Sequence, residues 1–354
     1  MRILADPDRK FMSKEFFSGA SLPGCSLDCR VSTLLFPSVT RAMSNPNLLF
    51  ELRQSGLLLI TAFIWGCSFV AQSIGMESVG PYTFTASRMA LGFVFLLPIV
   101  AMLRKRLAAS QPDEAERRRS PEYRRNLILG GFLCGLCLFG GEALQQFGLV
   151  HDTEVGKAGF ITALYIVFVP LIGLFLGQKS RLTLWLAVAI AVAGLWFLCL
   201  PPEGFSIALG DTYIFLCAIV FSLHILVISR FVTKVNGIEL SMMQFFFGSI
   251  IAFTSMMLFE HPTMSGFMAA LPAILWAGIM SNGIAYTLQI VGQRGMNETA
   301  ASLILSLESV FSVLAGWVVL NEILTPREGL GCVLMAVAVV LAQLPERKKK
   351  IERN

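Results

Sequence analysis

NETAASLILSLESVFSVLAGWVVLNEILTPREGLGCVLMAVAVVLAQL, Asn297 to Leu344, is the stretch whose reading decides the fold. It holds two apolar runs, Thr299 to Leu320 and Gly329 to Leu344, separated by the polar turn Asn321 to Glu328. A helix rises about 1.5 Å per residue and a bilayer's hydrocarbon core is about 30 Å thick, so about 20 apolar residues make one span. The first run meets that length and the second falls slightly short. The stretch reads as a helical hairpin in a membrane. One carboxylate, Glu308, follows Glu298 by ten residues, which puts it about 15 Å deep, near the bilayer midplane. An ionisable group at that depth is costly and needs a partner or a function.

Composition agrees. Hydrophobic residues make up 55% of the 354 and charged residues 14%, and the mean hydropathy is +0.70. These values exclude a soluble globular domain. The net charge of +5 does not indicate a nucleic-acid partner, because the basic residues cluster between apolar runs rather than along one face. Six of the eight cysteines, including the C-x-x-C pair Cys134 and Cys137, fall inside apolar runs without neighbouring metal ligands. There they act as small hydrophobes, and no disulfide framework, metal or other cofactor is expected.

Residues 1–53 mix charged residues, Pro, Gly and Ser without helical periodicity and are expected to form an unstructured extension with no secretory signal. Met43 is an alternative start to Met1. From there ten apolar runs follow, at about 55–76, 81–103, 126–149, 155–177, 182–200, 207–229, 238–259, 268–291, 299–320 and 328–344. An even number of spans puts both termini on one side. Eight basic residues lie between Leu103 and Asn126; with the alternate loops and the tail at 345–354 that side carries eighteen, against Lys157 and Arg327 opposite. The bias places both termini in the cytoplasm.

The chain also repeats internally. FIWGCSFV from Phe63 falls opposite the segment AIVFSLHI, and an offset of 156 pairs Trp65 with Phe221 and Arg88 with Gln244. Beyond the long basic loop the offset is 144, which pairs Gln145 with Gln289 and Gly177-Gln178 with Asn321-Glu322. Two five-helix halves, residues 54–200 and 201–344, emerge. Because five is odd, the second half enters the membrane from the opposite side, the arrangement of secondary transporters with substrate held between the halves. The expected class is thus an all-α membrane protein of ten transmembrane helices in two inverted repeats.

The closing segment SLESVFSVLAGWVVLNEILTPREGLGCVLMAVAVV resembles the last helix pair of the EamA family in the drug/metabolite transporter superfamily. FIWGCSFV is similar to that family's Trp-Gly first helix, SVGPYTFTASRMALGFVFLLP to its second, and LQQFGL with GKAGFITALYIVFVPLIG to its third and fourth. LGDTYIFLCAIVFSLHILVISR and AYTLQIVGQ resemble the sixth and eighth. Ser309, Asn321 and Gln178 depart from the family's usual Pro, Gly and Glu. The resemblance covers Leu57 to Leu344. It implies an inner-membrane permease moving a small polar or amphipathic metabolite, such as an amino acid, by alternating access, with export favoured over uptake.

Polar residues within the spans are the candidates for substrate binding or coupling. Depth along the helices brings Arg88 and Glu142 to the same level, as a structural ion pair or as a substrate contact. Glu308 is expected to be the lone ionisable group at the cavity's centre, either coupling transport to protons, binding a cation, or staying protonated in a structural hydrogen bond. Gln145, Gln244 and Gln289 serve as interhelical glue or as ligands to substrate. Trp65, Tyr165 and Tyr286 lie too deep to belong wholly to an interfacial belt and are read as cavity lining or packing. His224, near the inner end of its run, reads as an interfacial histidine. The pairs Gly131/Gly135 and Gly173/Gly177 suggest close helix packing within the chain, or a dimer seam; monomer and homodimer both fit. An intramembrane enzyme would need a nucleophile and base, or metal ligands, at matched depth, and the spans contain none. A non-transporting partner protein would leave Glu308 without a purpose.

Overall fold

The computed structural model describes residues 46–151, 153, 155–177, 181–199, 208–320 and 325–344. The extension before Pro46, the turn positions Gln178 and Asn321-Glu322, and the tail after Leu344 lie outside them. All regular structure among the described residues is helical. In chain order the helices are α1 (Pro46–Met76), α2 (Pro81–Ser110), α3 (Pro112–Arg117), α4 (Pro121–Val150), α5 (Val155–Ala163), α6 (Tyr165–Phe175) and α7 (Leu182–Cys199). The second half contains α8 (Leu209–Phe231), α9 (Gly237–Phe259), α10 (Met264–Leu275), a π-helical segment (Trp276–Tyr286) and α11 (Thr287–Gly292). It closes with α12 (Glu298–Leu305), α13 (Glu308–Leu320) and α14 (Pro326–Gln343).

Eight continuous helical stretches among the described residues are long and apolar enough to cross a membrane, and Leu182–Leu198 is a shorter apolar helix. With no water to satisfy peptide groups in lipid, helices keep every backbone hydrogen bond within the segment. Their outward faces are apolar too: Leu59, Phe63, Val94, Phe132 and Met257 are exposed. In water such a surface would aggregate; against acyl chains it is matched.

Three expectations change. Residues 46–53 belong to α1, where Pro46 is tolerated in the first turn and Gln54 donates to the carbonyls of Val291 and Arg294 at 3.0 and 2.8 Å. The basic segment after Leu103 is helical rather than an open loop, as α2 continues to Ser110 and α3 follows. Two apolar runs read as single helices are each interrupted, one at Leu164 and the other at Ser306-Leu307. At both, the ladder tightens to bonds three residues back, Leu164 N to Ile161 O (3.2 Å) and Leu307 N to Ile304 O (3.2 Å).

Helix ends meet in two groups. On one side Arg104 and Tyr123 hold Glu239, Gln54 holds the chain after α11, and Arg181 reaches the Leu344 carbonyl. On the other, Glu260 accepts from the Tyr82 and Thr83 amides at 2.8 and 2.7 Å, and Lys157 pairs with Asp211 at 2.6 Å. The first group is the side rich in arginine.

Small residues set the closest approaches. A Cβ on Gly135 would lie 2.5 Å from the Gln244 carbonyl, so the Gly131/Gly135 pair packs α4 onto α9 within the chain. Gly177 has a different role: with φ of 81° and open space around it, it follows α6 as a left-handed terminator rather than a packing surface.

Candidate binding cavity

Trp65 and Gln72 of α1, Arg88 of α2, Gln145 of α4, Tyr165 of α6 and His224 of α8 converge on one cavity. Thr162 of α5, Ser281 and Tyr286 of the π segment, Gln289 of α11 and Glu308 of α13 complete its polar lining. The two helix interruptions build it. Tyr165 is the first residue of α6 and Glu308 the first of α13, so each stands at the start of a half-helix. There the helix dipole favours a negative group. The Tyr165 hydroxyl donates to Glu308 Oε1 at 3.1 Å. The π segment follows Pro272, whose missing N–H loosens the ladder, and it turns Ser281 and Tyr286 inward.

Gly66 allows α1 to reach this seam, because a Cβ there would lie 2.6 Å from the Glu308 carbonyl oxygen and 2.7 Å from Phe311 Cβ. The approach brings Trp65 against Tyr286 with centroids 4.6 Å apart and the ring planes tilted by 55°. His224 meets the other side of Tyr286, 6.0 Å away, and its Nε2 lies 3.0 Å from Gln244 Oε1.

Arg88 Nε lies 2.9 Å from Glu142 Oε2 with both side chains almost fully buried. The contact is an ion pair by distance, but its angle is not that of a hydrogen bond. Arg88 Nη1 donates to Gln72 Oε1 at 3.0 Å, Gln146 donates to the same oxygen, and the guanidinium lies 5.5 Å from the Phe84 ring. Its Nη2 has no hydrogen-bond partner, and neither do Trp65 Nε1 or Gln289 Oε1. Buried polar atoms are nearly always satisfied, so these atoms beside a cavity await water or a ligand. The space open to water centres is about 40 Å³, enough for a few ordered waters and too narrow for a metabolite.

Of the nine residues singled out from sequence, Glu308, Arg88, Trp65, Tyr165, Gln145, Gln289 and Tyr286 line the cavity. Glu142 stands behind Arg88, and Gln244 stands behind His224. Gln145 donates to Thr162 at a long 3.4 Å. Glu308 is not the lone ionisable group, because Arg88 and His224 share the lining. His224 is not interfacial; α8 runs on to Phe231, two turns beyond it, and it is 1% exposed. Gln72 was missed, although a glutamine inside the first apolar run carries the same signal as Gln145.

Comparison with known proteins places this architecture. The model of the EamA-like transporter family matches twice, over residues 54–200 and 208–344. An uncharacterized transporter of Archaeoglobus fulgidus is 28% identical over 295 residues, covering 81% of this chain and 84% of that protein. The uncharacterized transporter YoaV of Bacillus subtilis is 22% identical over 84% of this chain and 98% of its own. The uncharacterized inner membrane transporter YedA of Escherichia coli is 23% identical over 82% and 90%. One crystal structure superposes with a TM-score of 0.63 at 19% identity, covering 82% of this chain and 96% of that one, a likeness of fold.

Proposed function

The chain belongs to the EamA-like transporter family, and on that premise we propose that it is an inner-membrane permease carrying a small zwitterionic metabolite, an amino acid or related compound, outward by alternating access. Ten spans in two inverted halves are the working architecture. The eight long apolar stretches, the shorter α7 and the interrupted pair α12 and α13 supply them. Leu164 corresponds under the 144-residue offset to Glu308, which follows the Ser306-Leu307 break directly, so the two helix breaks lie within two residues of equivalent places in the halves. Both termini then lie in the cytoplasm, on the arginine-rich side. The inner-membrane assignment follows the relative YedA.

The observation that carries the substrate class is the pair of opposite charges on one buried lining. Arg88 Nη2 is a free donor suited to a carboxylate, and Glu308 is suited to an ammonium group. The tilted pair Trp65 and Tyr286 provides an apolar wall for an amphipathic side chain. The narrow cavity corresponds to a closed form that widens when the halves rock apart. Gln145, Gln244, Gln289, Tyr165 and Glu142 hold this lining or contact the solute directly.

Purified protein in liposomes, loaded with radiolabelled amino acids and given an outward or inward gradient, tests the reading. Flux above protein-free liposomes for at least one zwitterion, competed by its unlabelled form, is the expected result. Absence of flux for every amino acid tried sinks the substrate class. Uptake is the second reading, and preferential movement into right-side-out vesicles selects it.

A further inference from the structure

On the arginine-rich side a second cavity lies outside the transport machinery. Arg104, Leu107 and Ala108 of α2, Ala115 of α3, Arg118 and Arg119 just beyond α3, Arg124 and Leu127 of α4, and Glu239 of α9 line it. The spacings are those of helix faces: 104, 107 and 108 share one side of α2, and 124 and 127 one side of α4. Four guanidinium groups are thus gathered over an apolar floor.

Glu239 accounts for part of this charge. Its buried carboxylate lies 2.8 Å from Arg104 Nε and 3.7 Å from Arg118 Nη1, and it accepts the Tyr123 hydroxyl at 2.6 Å. Glu114 takes Arg117 at 2.6 Å and Arg118 Nε at 3.0 Å, and the hydrogen bond from Arg117 holds its carboxyl down to about 2. Arg119 and Arg124 are exposed and make no ion pair among the described residues. Arg118 Nη1 is buried without a hydrogen-bond partner. Two carboxylates therefore position Arg104 and Arg118 and leave a net positive pocket with donors to spare.

We infer that this pocket binds the phosphate group of an anionic phospholipid from the leaflet it faces. The phosphate meets the donors of Arg118, Arg119 and Arg124 as a charge-assisted acceptor. Lipid is favoured over a soluble phosphate because the floor continues into apolar surface. Ile128 of α4, four residues after Arg124 on the same face, and Leu97 of α2, two turns before Arg104, are exposed. A headgroup in the pocket leaves its acyl chains against those side chains. Basic loops at a membrane are ordinarily topology signals open to water, and the shared cavity distinguishes these arginines from their neighbours Lys105 and Arg125. The site is independent of the transport reading.

The experiment is native mass spectrometry of the full-length protein in a neutral detergent, titrated with phosphatidylglycerol or phosphatidylcholine. A basic residue in contact with an anionic headgroup is worth about a fivefold gain in binding, and one outside the pocket contributes less because the attraction falls off with distance. Arg119→Gln with Arg124→Gln is therefore expected to weaken phosphatidylglycerol binding about 25-fold and leave phosphatidylcholine unchanged. Lys105→Gln with Arg125→Gln, outside the pocket, is expected to lower it less than about threefold. Should the first double variant not yield monodisperse protein, Arg124→Gln alone is expected to lose about fivefold. Equal losses in the two double variants overturn the site in favour of diffuse surface charge, as does equal binding of the two lipids. Displacement of phosphatidylglycerol by millimolar inorganic phosphate overturns the lipid assignment.

Discussion

The Tyr165 hydroxyl reaches the Glu308 carboxylate at 3.1 Å across the seam where two interrupted helices restart. One partner comes from each half of the chain, so any motion that separates the halves at this level breaks the bond. Tyr165→Phe removes one donor and is expected to slow flux about fivefold in proteoliposomes, the weight of an ordinary hydrogen bond. Glu308→Gln keeps the shape and still accepts from Tyr165 but carries no charge. A loss of about tenfold or more, the weight of a hydrogen bond to a charged group, is expected, with a flattened pH profile. Unchanged rate and unchanged pH profile in Glu308→Gln would reduce the carboxyl to a structural acceptor.

Arg88 and Glu142 are buried together at 2.9 Å. Removing one partner strands a charge, at about 3–5 kcal/mol, whereas removing both does not. Glu142→Ala is therefore expected to lower the yield of folded protein and its thermal midpoint in detergent more than Arg88→Leu with Glu142→Ala. A double variant no more stable than the Glu142 single shows that the pair is not the stabilising unit. The double variant is still expected to lose flux, because Arg88 lines the cavity.

Gly66 and Gly56 lie on the same helix in opposite circumstances. A Cβ at Gly66 runs into the Glu308 carbonyl and Phe311, and one at Gly56 meets nothing within 4 Å. Gly66→Ala is expected to cost about 1–3 kcal/mol as α1 is pushed off α13. Gly56→Ala is expected to gain about 0.5–1 kcal/mol from helix propensity alone. Thermal unfolding of the two variants beside the wild type checks the contrast, and equal midpoints would mean that α1 does not pack this closely on α13.

Reporter fusions test the sidedness. A reporter after Asn354 and one inserted at Gln111 should both read cytoplasmic, and one inserted at His261 should read external. An external signal from the tail removes the basis for two inverted halves.

The one-dimensional sequence determined which segments are helices apolar enough to cross a bilayer, because partition of a segment into lipid depends on its local composition. The runs near 81–103, 126–149 and 238–259 become α2, α4 and α9 for that reason. That Arg88 and Glu142 come to one level was legible as well, since rise per residue is fixed, and the two side chains meet at 2.9 Å. Rotation about each helix axis was not. Tertiary packing alone turned His224 and Gln72 into the same cavity as Glu308, and set Gln244 and Glu142 one layer behind. The break at Ser306-Leu307 was equally hidden, because apolar residues run through it and hydropathy does not register a change of backbone winding. Neighbouring helices decide these features: only when α1 closes on Gly66 and the π segment turns Tyr286 inward do separate polar residues become one site.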